Sequence, residues 1–170
     1  MTFVYEENVL SLARTFSIVE ADTPETVPAV KTFFAEYSKL LAQYEDPGAF
    51  EVVKELESLP EPYSPPNGKL FLAYVGNEPA GCVGIRKLDP RICEMKRLFA
   101  APHFRGKGVG RHLVENAMTE ARDLGYRKMR LDTVPPLADA IHLYQSIGFR
   151  PIERYNDNSY PGAMFMEIDL

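Results

Sequence analysis

The sequence predicts an α/β (α+β) fold in which one mixed, mostly antiparallel sheet of about seven strands is flanked by about four helices. Three observations carry that expectation. Between residues 69 and 100, three apolar, strand-like runs are separated by the turn-forming pairs Gly76-Asn77 and Asp89-Pro90, the pattern of two consecutive hairpins. The strongest amphipathic helix in the chain follows, and then a strand that alternates Met129, Leu131 and Thr133 with Lys128, Arg130 and Asp132, so the hairpins lead into a right-handed crossover. With 170 residues, 45% of them hydrophobic and 25% charged, the chain can close one core without a disulfide or structural metal.

Residues 1–15 are an N-terminal extension that reads two ways: Phe3 to Tyr5 could form a short strand, and Asn8 to Arg14 a helical turn. A single domain is expected over residues 16–170. Phe16 to Glu20 alternates as a strand. Thr23 then supplies an N-cap and Pro24 the first helical position, with Val27, Val30, Phe34, Tyr37, Leu41 and Tyr44 at helical spacing until Asp46, Pro47 and Gly48 end the helix. A shorter helix, from about Ala49 to Leu59, is expected to face inward through Phe50, Val53 and Leu56. Four prolines and an Asn-Gly make Pro60 to Gly68 a stiff loop. Strands over 69–75, 79–87 and 92–100 form the meander. The amphipathic helix opens near Gly108, carries Val109, Leu113, Ala117, Ala121 and Leu124 on one stripe, and closes at Gly125. After the strand Lys128 to Thr133, Pro135 and Pro136 open a last helix that ends at Gly148. Phe149 to Tyr155 and Ala163 to Leu170 complete the sheet.

Nineteen basic and twenty-four acidic side chains give a net charge of −5 with no charged tail, which argues against a dedicated nucleic-acid or membrane-surface protein. The basic run from Arg105 to His112 also lacks an aromatic platform for bases. Glu6 and Glu7 stand where a secretory signal would carry lysines, and no apolar run approaches the roughly 18 residues of a membrane span. Cys82 and Cys93 lie in apolar runs without a CxxC or a histidine pair, as buried reduced thiols do. A cytoplasmic protein without a metal site is expected, and a homodimer is left open.

The most informative stretch is Arg105-Gly106-Lys107-Gly108-Val109-Gly110, between a strand and the amphipathic helix. Glycines there let backbone approach a ligand, and the free N–H groups of a helix N-terminus attract anions, helped by Arg105, Lys107 and Arg111. His103 and His112 flank the loop and are expected to meet phosphate or solvent. A Walker loop would need Lys then Ser/Thr, but Gly108 and Val109 follow Lys107; a dinucleotide fingerprint would need a sixth-position glycine where Arg111 stands. What remains is Arg/Gln-x-x-Gly-x-Gly/Ala, met by Arg105, Gly108 and Gly110.

Together with the strand Cys93-Glu94-Met95-Lys96-Arg97-Leu98-Phe99-Ala100 and the segment Ala140-Ile141-His142-Leu143-Tyr144-Gln145-Ser146-Ile147-Gly148-Phe149, this loop resembles the GNAT superfamily of acetyl-CoA-dependent N-acetyltransferases over about Ser17 to Leu170. The resemblance implies a GNAT-like fold and transfer of an acetyl group from acetyl-CoA to a small-molecule or peptidic amine. It implies that Arg105, Gly106, Lys107, Gly108, Val109, Gly110 and Arg111 hold the pyrophosphate of coenzyme A. The backbone of Leu98, Phe99 and Ala100 would meet the pantetheine arm, in a cleft where the strand ending at Ala100 splays from the one ending at Thr133. Leu137 stands where many members carry a pantetheine-binding asparagine. A coenzyme A-binding sensor without catalysis is the alternative.

Amine acetylation needs a neutral nitrogen, a stabilised oxyanion and a protonated thiolate. The resemblance assigns Tyr144 as proton donor to the sulfur; on pattern alone it is a core aromatic. By the resemblance Glu94, four residues before Leu98, would be the general base; on its own pattern it is a strand glutamate paired with Lys96 or Arg86. By the resemblance the acceptor pocket would be walled by the first two helices, the Pro60 to Gly68 loop and the final hairpin around Tyr155 to Pro161, with Tyr37, Tyr63, Arg86, Arg97, Tyr155 and Asn156 as candidate liners, a mixture that suits an amine bearing a carboxylate or phosphate.

Overall fold

The computed structural model describes residues 3–5 and 15–170, and within them eight strands share one sheet. Strands β1 (Phe3–Tyr5), β2 (Phe16–Glu20), β3 (Lys69–Val75), β4 (Glu78–Asp89) and β5 (Ile92–Ala100) pair antiparallel, each with the next. Strand β6 (Lys128–Thr133) lies parallel to β5, and β8 (Met164–Asp169) pairs antiparallel with both β6 and β7 (Arg150–Ile152). Helices α1 (Val27–Gln43), α2 (Gly48–Ser58), α3 (Val109–Asp123) and α4 (Ala138–Ile147) complete the fold. The expected mixed sheet is present, with one further strand because Phe3–Tyr5 pairs along β2. The helical turn considered for Asn8 to Arg14 lies outside the described residues.

The sheet is covered on both faces around β4 and β5. Phe99 meets Phe33 and Tyr37 of α1, whereas at Gly81, opposite the neighbouring Ala100, a Cβ would stand 3.1–3.2 Å from Leu113 and Val109 of α3. Successive strand residues point to opposite faces, so the two helices lie on opposite sides. Among the described residues no helix is long and apolar enough to cross a membrane.

Three local expectations are corrected. Helix α1 begins at Val27, not Pro24, because Thr23 and Thr26 bond each other in a turn that delays the helix, and Pro28 occupies its first turn, where no N–H is needed. Helix α2 turns Phe50 and Val53 outward, 64% and 47% exposed, and buries Val52. Its phase is set at the start, where Asp46 Oδ1 accepts the Gly48 N–H and Ser38 Oγ donates to the Ala49 carbonyl, so Ala49, Val52, Leu56 and Leu59 form the inner stripe. The sheet also loses the chain after Ile152: Asn156 and Asn158 accept N–H bonds from residues two positions on, and these turns hold residues 153–163 over the cleft instead of along β8.

Candidate active site

The site arises where β5 and β6 part. Their parallel ladder runs through Ile92↔Lys128, Cys93↔Met129 and Glu94↔Arg130 and then ends, although β5 continues to Ala100 and β6 to Thr133. On its other side β5 carries a bulge, since one residue of β4, Val83, faces two of β5, Arg97 and Leu98. Arg97 takes a left-handed φ of +61°, an unusual conformation for a non-glycine residue, and such bulges re-aim side chains. The half of β5 beyond Glu94 therefore presents backbone groups that β6 does not use.

Two cavities meet along that half-strand, sharing Tyr37, Leu98, Leu137 and Ala140. The glycine-loop cavity, about 680 Å³, is lined by Leu98, Phe99, Ala100, Arg105, Gly106 and the start of α3. Gly108 caps α3 at φ +84°, which glycine adopts without penalty, and no side chain caps the first turn. Its N–H groups and the positive end of the helix dipole are left for an anion. Arg105 donates from Nε to the Ala100 carbonyl at 3.2 Å, and Arg111 donates to Ser146 Oγ at 2.6 Å, so both guanidiniums are anchored at the cavity wall. This uncapped, cation-flanked helix start fits the pyrophosphate of coenzyme A.

The ion-pair cavity, about 620 Å³, is built from side chains. Its wall holds five carboxylates, Asp46, Glu51, Glu55, Asp132 and Asp157, against three cations, Arg86, Lys96 and Arg97. Each cation is already matched. Glu55 takes Arg97 Nε and Nη2 at 3.0 and 2.8 Å and the Tyr63 hydroxyl at 2.8 Å. Asp132 takes Lys96 Nζ at 3.1 Å and Asn158 Nδ2 at 2.7 Å. Arg86 binds Glu94 at 2.7–2.8 Å, and the Tyr155 hydroxyl donates to the same carboxylate at 2.7 Å. Burial works against the Glu55 and Asp132 carboxylates, yet the Arg97 and Lys96 partners hold both below their ordinary values. The anionic ligand group that free arginines would have suited therefore meets guanidiniums that carboxylates already occupy.

Tyr144 stands at the floor of this cavity, 7% exposed, with its ring edge-on to Phe149. Among the described residues no hydrogen bond engages its hydroxyl. Burial pushes its titration up, so it is a neutral O–H donor at physiological pH.

Most residues singled out from sequence gather here. Phe99, Ala100, Arg105, Gly106, Gly108, Val109, Gly110 and Arg111 line one cavity, and Tyr144, Arg86, Arg97 and Asn156 the other, with Tyr37 and Leu98 in both. Lys107 does not join them; its ammonium lies over the Phe104 ring. Glu94 is 1% exposed and borders neither cavity, and of its two suggested partners it has Arg86, while Lys96 goes to Asp132. Tyr155 stands behind the wall on Glu94, and Tyr63 is buried against Gly84 and Glu55. His103 bonds Glu78, and His112 bonds the Gly108 carbonyl and stacks on Phe16, so both turn away from the cavity. Sequence reasoning missed Glu55, Asp132, Asn158 and Thr133; only Asp132 and Thr133 carried a signal, their position at the end of a strand that leads into the splay. Among the described residues no three His, Cys, Asp or Glu are grouped to hold a metal ion.

Comparison with known proteins matches residues 31–149 to the model of the Acetyltransferase (GNAT) family. An uncharacterized N-acetyltransferase of Schizosaccharomyces pombe is 36% identical over 118 residues, covering 68% of this chain and 72% of that protein. The fold matches a GNAT family acetyltransferase from Elizabethkingia anophelis with acetyl-CoA bound (TM-score 0.66, 22% identity, 91% of this chain and 98% of that one). It also matches the PaiA N-acetyltransferase from Thermoplasma acidophilum in complex with coenzyme A (TM-score 0.72, 15% identity, 91% and 99%).

Proposed function

Because the chain belongs to the GNAT acetyltransferase family, we propose that it acetylates a primary amine, of a small molecule or a peptide, by direct attack in a ternary complex with acetyl-CoA. The observation that carries this is the early end of the β5–β6 ladder at Glu94↔Arg130, which opens one continuous cleft from the uncapped start of α3 to Tyr144. Acetyl-CoA, when bound, supplies an activated acyl carbon and a thiolate leaving group.

The residues of the chain then divide the work. Gly106, Gly108, Val109 and Gly110 offer backbone donors to the pyrophosphate, with Arg105 and Arg111 beside them, and Lys107 adds charge from outside the cavity. The unpaired edge at Leu98, Phe99 and Ala100 bonds the pantetheine amides, and N–H groups of the bulge receive the developing oxyanion. Tyr144 gives its proton to the sulfur as the C–S bond breaks and is restored by the proton that the acceptor nitrogen loses. Arg86, Arg97, Tyr37 and Asn156 shape the acceptor wall, with Tyr155 bracing Glu94 behind it. We read Glu94 as the anchor of Arg86 and the 153–163 segment, since its carboxylate is engaged on both oxygens. Buried, reduced Cys82 and Cys93 suit a cytoplasmic enzyme.

The test is thiol release from acetyl-CoA against a panel of n-butylamine, spermidine, β-alanine and a short peptide with a free N-terminus. Release that depends on the amine, with an acetylated product by mass spectrometry, is expected. Thiol release equal with and without every amine would overturn direct transfer.

A further inference from the structure

Asp46 lies in the turn between α1 and α2 and borders the ion-pair cavity. It is 7% exposed, and its Oδ1 accepts the Gly48 N–H at 2.8 Å. Among the described residues no hydrogen bond or ion pair engages its Oδ2. The side-chain atoms there that are both unpartnered and sealed from solvent are Asn116 Nδ2 and Thr133 Oγ1, so Asp46 Oδ2 keeps accessible surface. Its charge also reaches a ring on the same wall: burial pushes Tyr37 up to about 12, and Asp46 is among the carboxylates that add to the rise. The open oxygen is therefore directed at the cavity.

The fold does not account for a charge at this position. The bond to Gly48 sets the phase of α2, and an asparagine oxygen would accept it as well. The positive end of α2 favours a carboxylate, but that attraction is small beside the cost of burying an anion. The other inner carboxylates of the site each have a cation: Arg97 for Glu55, Lys96 for Asp132 and Arg86 for Glu94. Asp46 has none. Glu51, which is exposed and tied to Lys54, and the exposed Asp157 add further negative charge to the wall.

We propose that Asp46 binds a second ammonium group of the acceptor, which makes the substrate a small diamine or polyamine; this rests on reading the ion-pair cavity as the acceptor site. The amine under attack must reach the residues that both cavities share, Tyr37, Leu98, Leu137 and Ala140. Asp46 borders the ion-pair cavity alone, so a second cation on the same molecule, set off by an alkyl spacer, meets its open oxygen while the first amine meets the acyl carbon. That pairing gives a buried anion its counter-charge and a charge-assisted hydrogen bond. A carboxylate on the acceptor would instead face a like charge, which reverses the preference expected from the arginines alone.

The experiment measures kcat/KM for short alkyl diamines, putrescine and cadaverine among them, each beside the monoamine in which a methyl replaces the second ammonium, and for β-alanine. Wild type should favour the best diamine over its monoamine by about 10- to 100-fold, the worth of one hydrogen bond between charged groups, with β-alanine the poorest. In Asp46→Asn, which keeps an acceptor for Gly48, the Tm of the free protein and its acetyl-CoA-induced shift should stay close to wild type while the preference for the diamine disappears. A variant that slows diamine and monoamine alike, or that keeps the preference, would overturn the role of Asp46. The wild-type comparison needs no variant and stands even where the substitution impairs folding: monoamines acetylated as well as their diamines would overturn the second-ammonium site and leave the acceptor site intact. A wild type that acetylates no amine would overturn the acceptor-site reading on which the role stands.

Discussion

The two halves of the cleft are made of different material. The glycine-loop cavity is backbone: a strand edge released from its ladder and a helix start whose N–H groups no side chain caps. The ion-pair cavity is side chain: every cation on its wall is tied to a carboxylate delivered by another segment, across 42 positions for Glu55 and Arg97 and 36 for Lys96 and Asp132. A backbone site is rigid and indifferent to most substitutions but vulnerable wherever a Cβ or a charge enters it. A side-chain site can be altered residue by residue, and each alteration also acts on stability, because the ion pairs hold α2, β5 and β6 together and their carboxylates accept hydrogen bonds from the 153–163 segment.

The sharpest way to break this contrast is Gly108→Asp. An aspartate is a favourable helix N-cap, though the φ of +84° adds some strain, so the free protein should stay folded. Its carboxylate would occupy the anion site. Wild type at a ligand concentration about a hundred times Kd gains about 2.7 kcal/mol, or roughly 5–11 °C in Tm. The variant should lose that shift and all activity. A full acetyl-CoA shift in the variant would refute the assignment of the anion site.

Next in size is Tyr144→Phe, at the floor of the ion-pair cavity. The ring and its packing on Phe149 are retained. If the buried, neutral hydroxyl protonates the thiolate, kcat should fall by about 10²–10⁴ with Tm and the acetyl-CoA shift unchanged. Undiminished kcat would make Tyr144 a core aromatic and no more.

The same contrast explains what could be read from the sequence. Arg105 to Gly110 is contiguous, because a backbone site needs glycines and a helix start next to one another in the chain. The meander and the crossover were legible for a similar reason, since turn pairs and alternation are local. Glu55 looked like one of several glutamates on an amphipathic helix, and Asp132 like an outward-facing strand residue; only the sheet brings them to Arg97 and Lys96. The phase of α2 also went astray, because period alone does not choose between Val52 and Val53. The side chain of Asp46 and the hydroxyl of Ser38 make that choice from outside the helix.

Glu55→Gln tests whether the ion pairs stabilise as well as shape. It leaves Arg97, whose side chain is 9% exposed, without its counter-charge, a loss of about 3–5 kcal/mol for a buried pair, or roughly 6–20 °C in Tm. The Glu55 titration lies lower in the folded protein than its ordinary value of 4.5, because Arg97 and Tyr63 outweigh the effect of burial. Its stabilising effect is therefore full above that value and is lost as pH falls through the lower folded-state value. The gap in Tm between wild type and variant should be constant near neutrality and close in that acid window. A gap that persists there would mean the variant is destabilised by packing, not by charge.

The smallest expected effect belongs to Glu94→Gln, and it decides what the acceptor half does with its most buried carboxylate. Glutamine keeps an oxygen for the Tyr155 hydroxyl but loses the charge that holds Arg86. Because the Arg86 side chain is 34% exposed, water relieves part of the loss, and about 1–2 kcal/mol, a few degrees in Tm, is expected. As an anchor, Glu94 acts through Arg86 and Asn156 on the shape of the wall, so the KM for the amine should rise while the dependence of kcat on pH keeps its form. A general base at this position would behave differently: the variant would be slow at neutral pH and recover as pH rises and more of the amine arrives already neutral. Turnover measured from about pH 6 to 10 beside Tm separates the two. A recovered alkaline limb with an unchanged Tm would make Glu94 the base and put the first proton acceptor on the strand beneath the cavity.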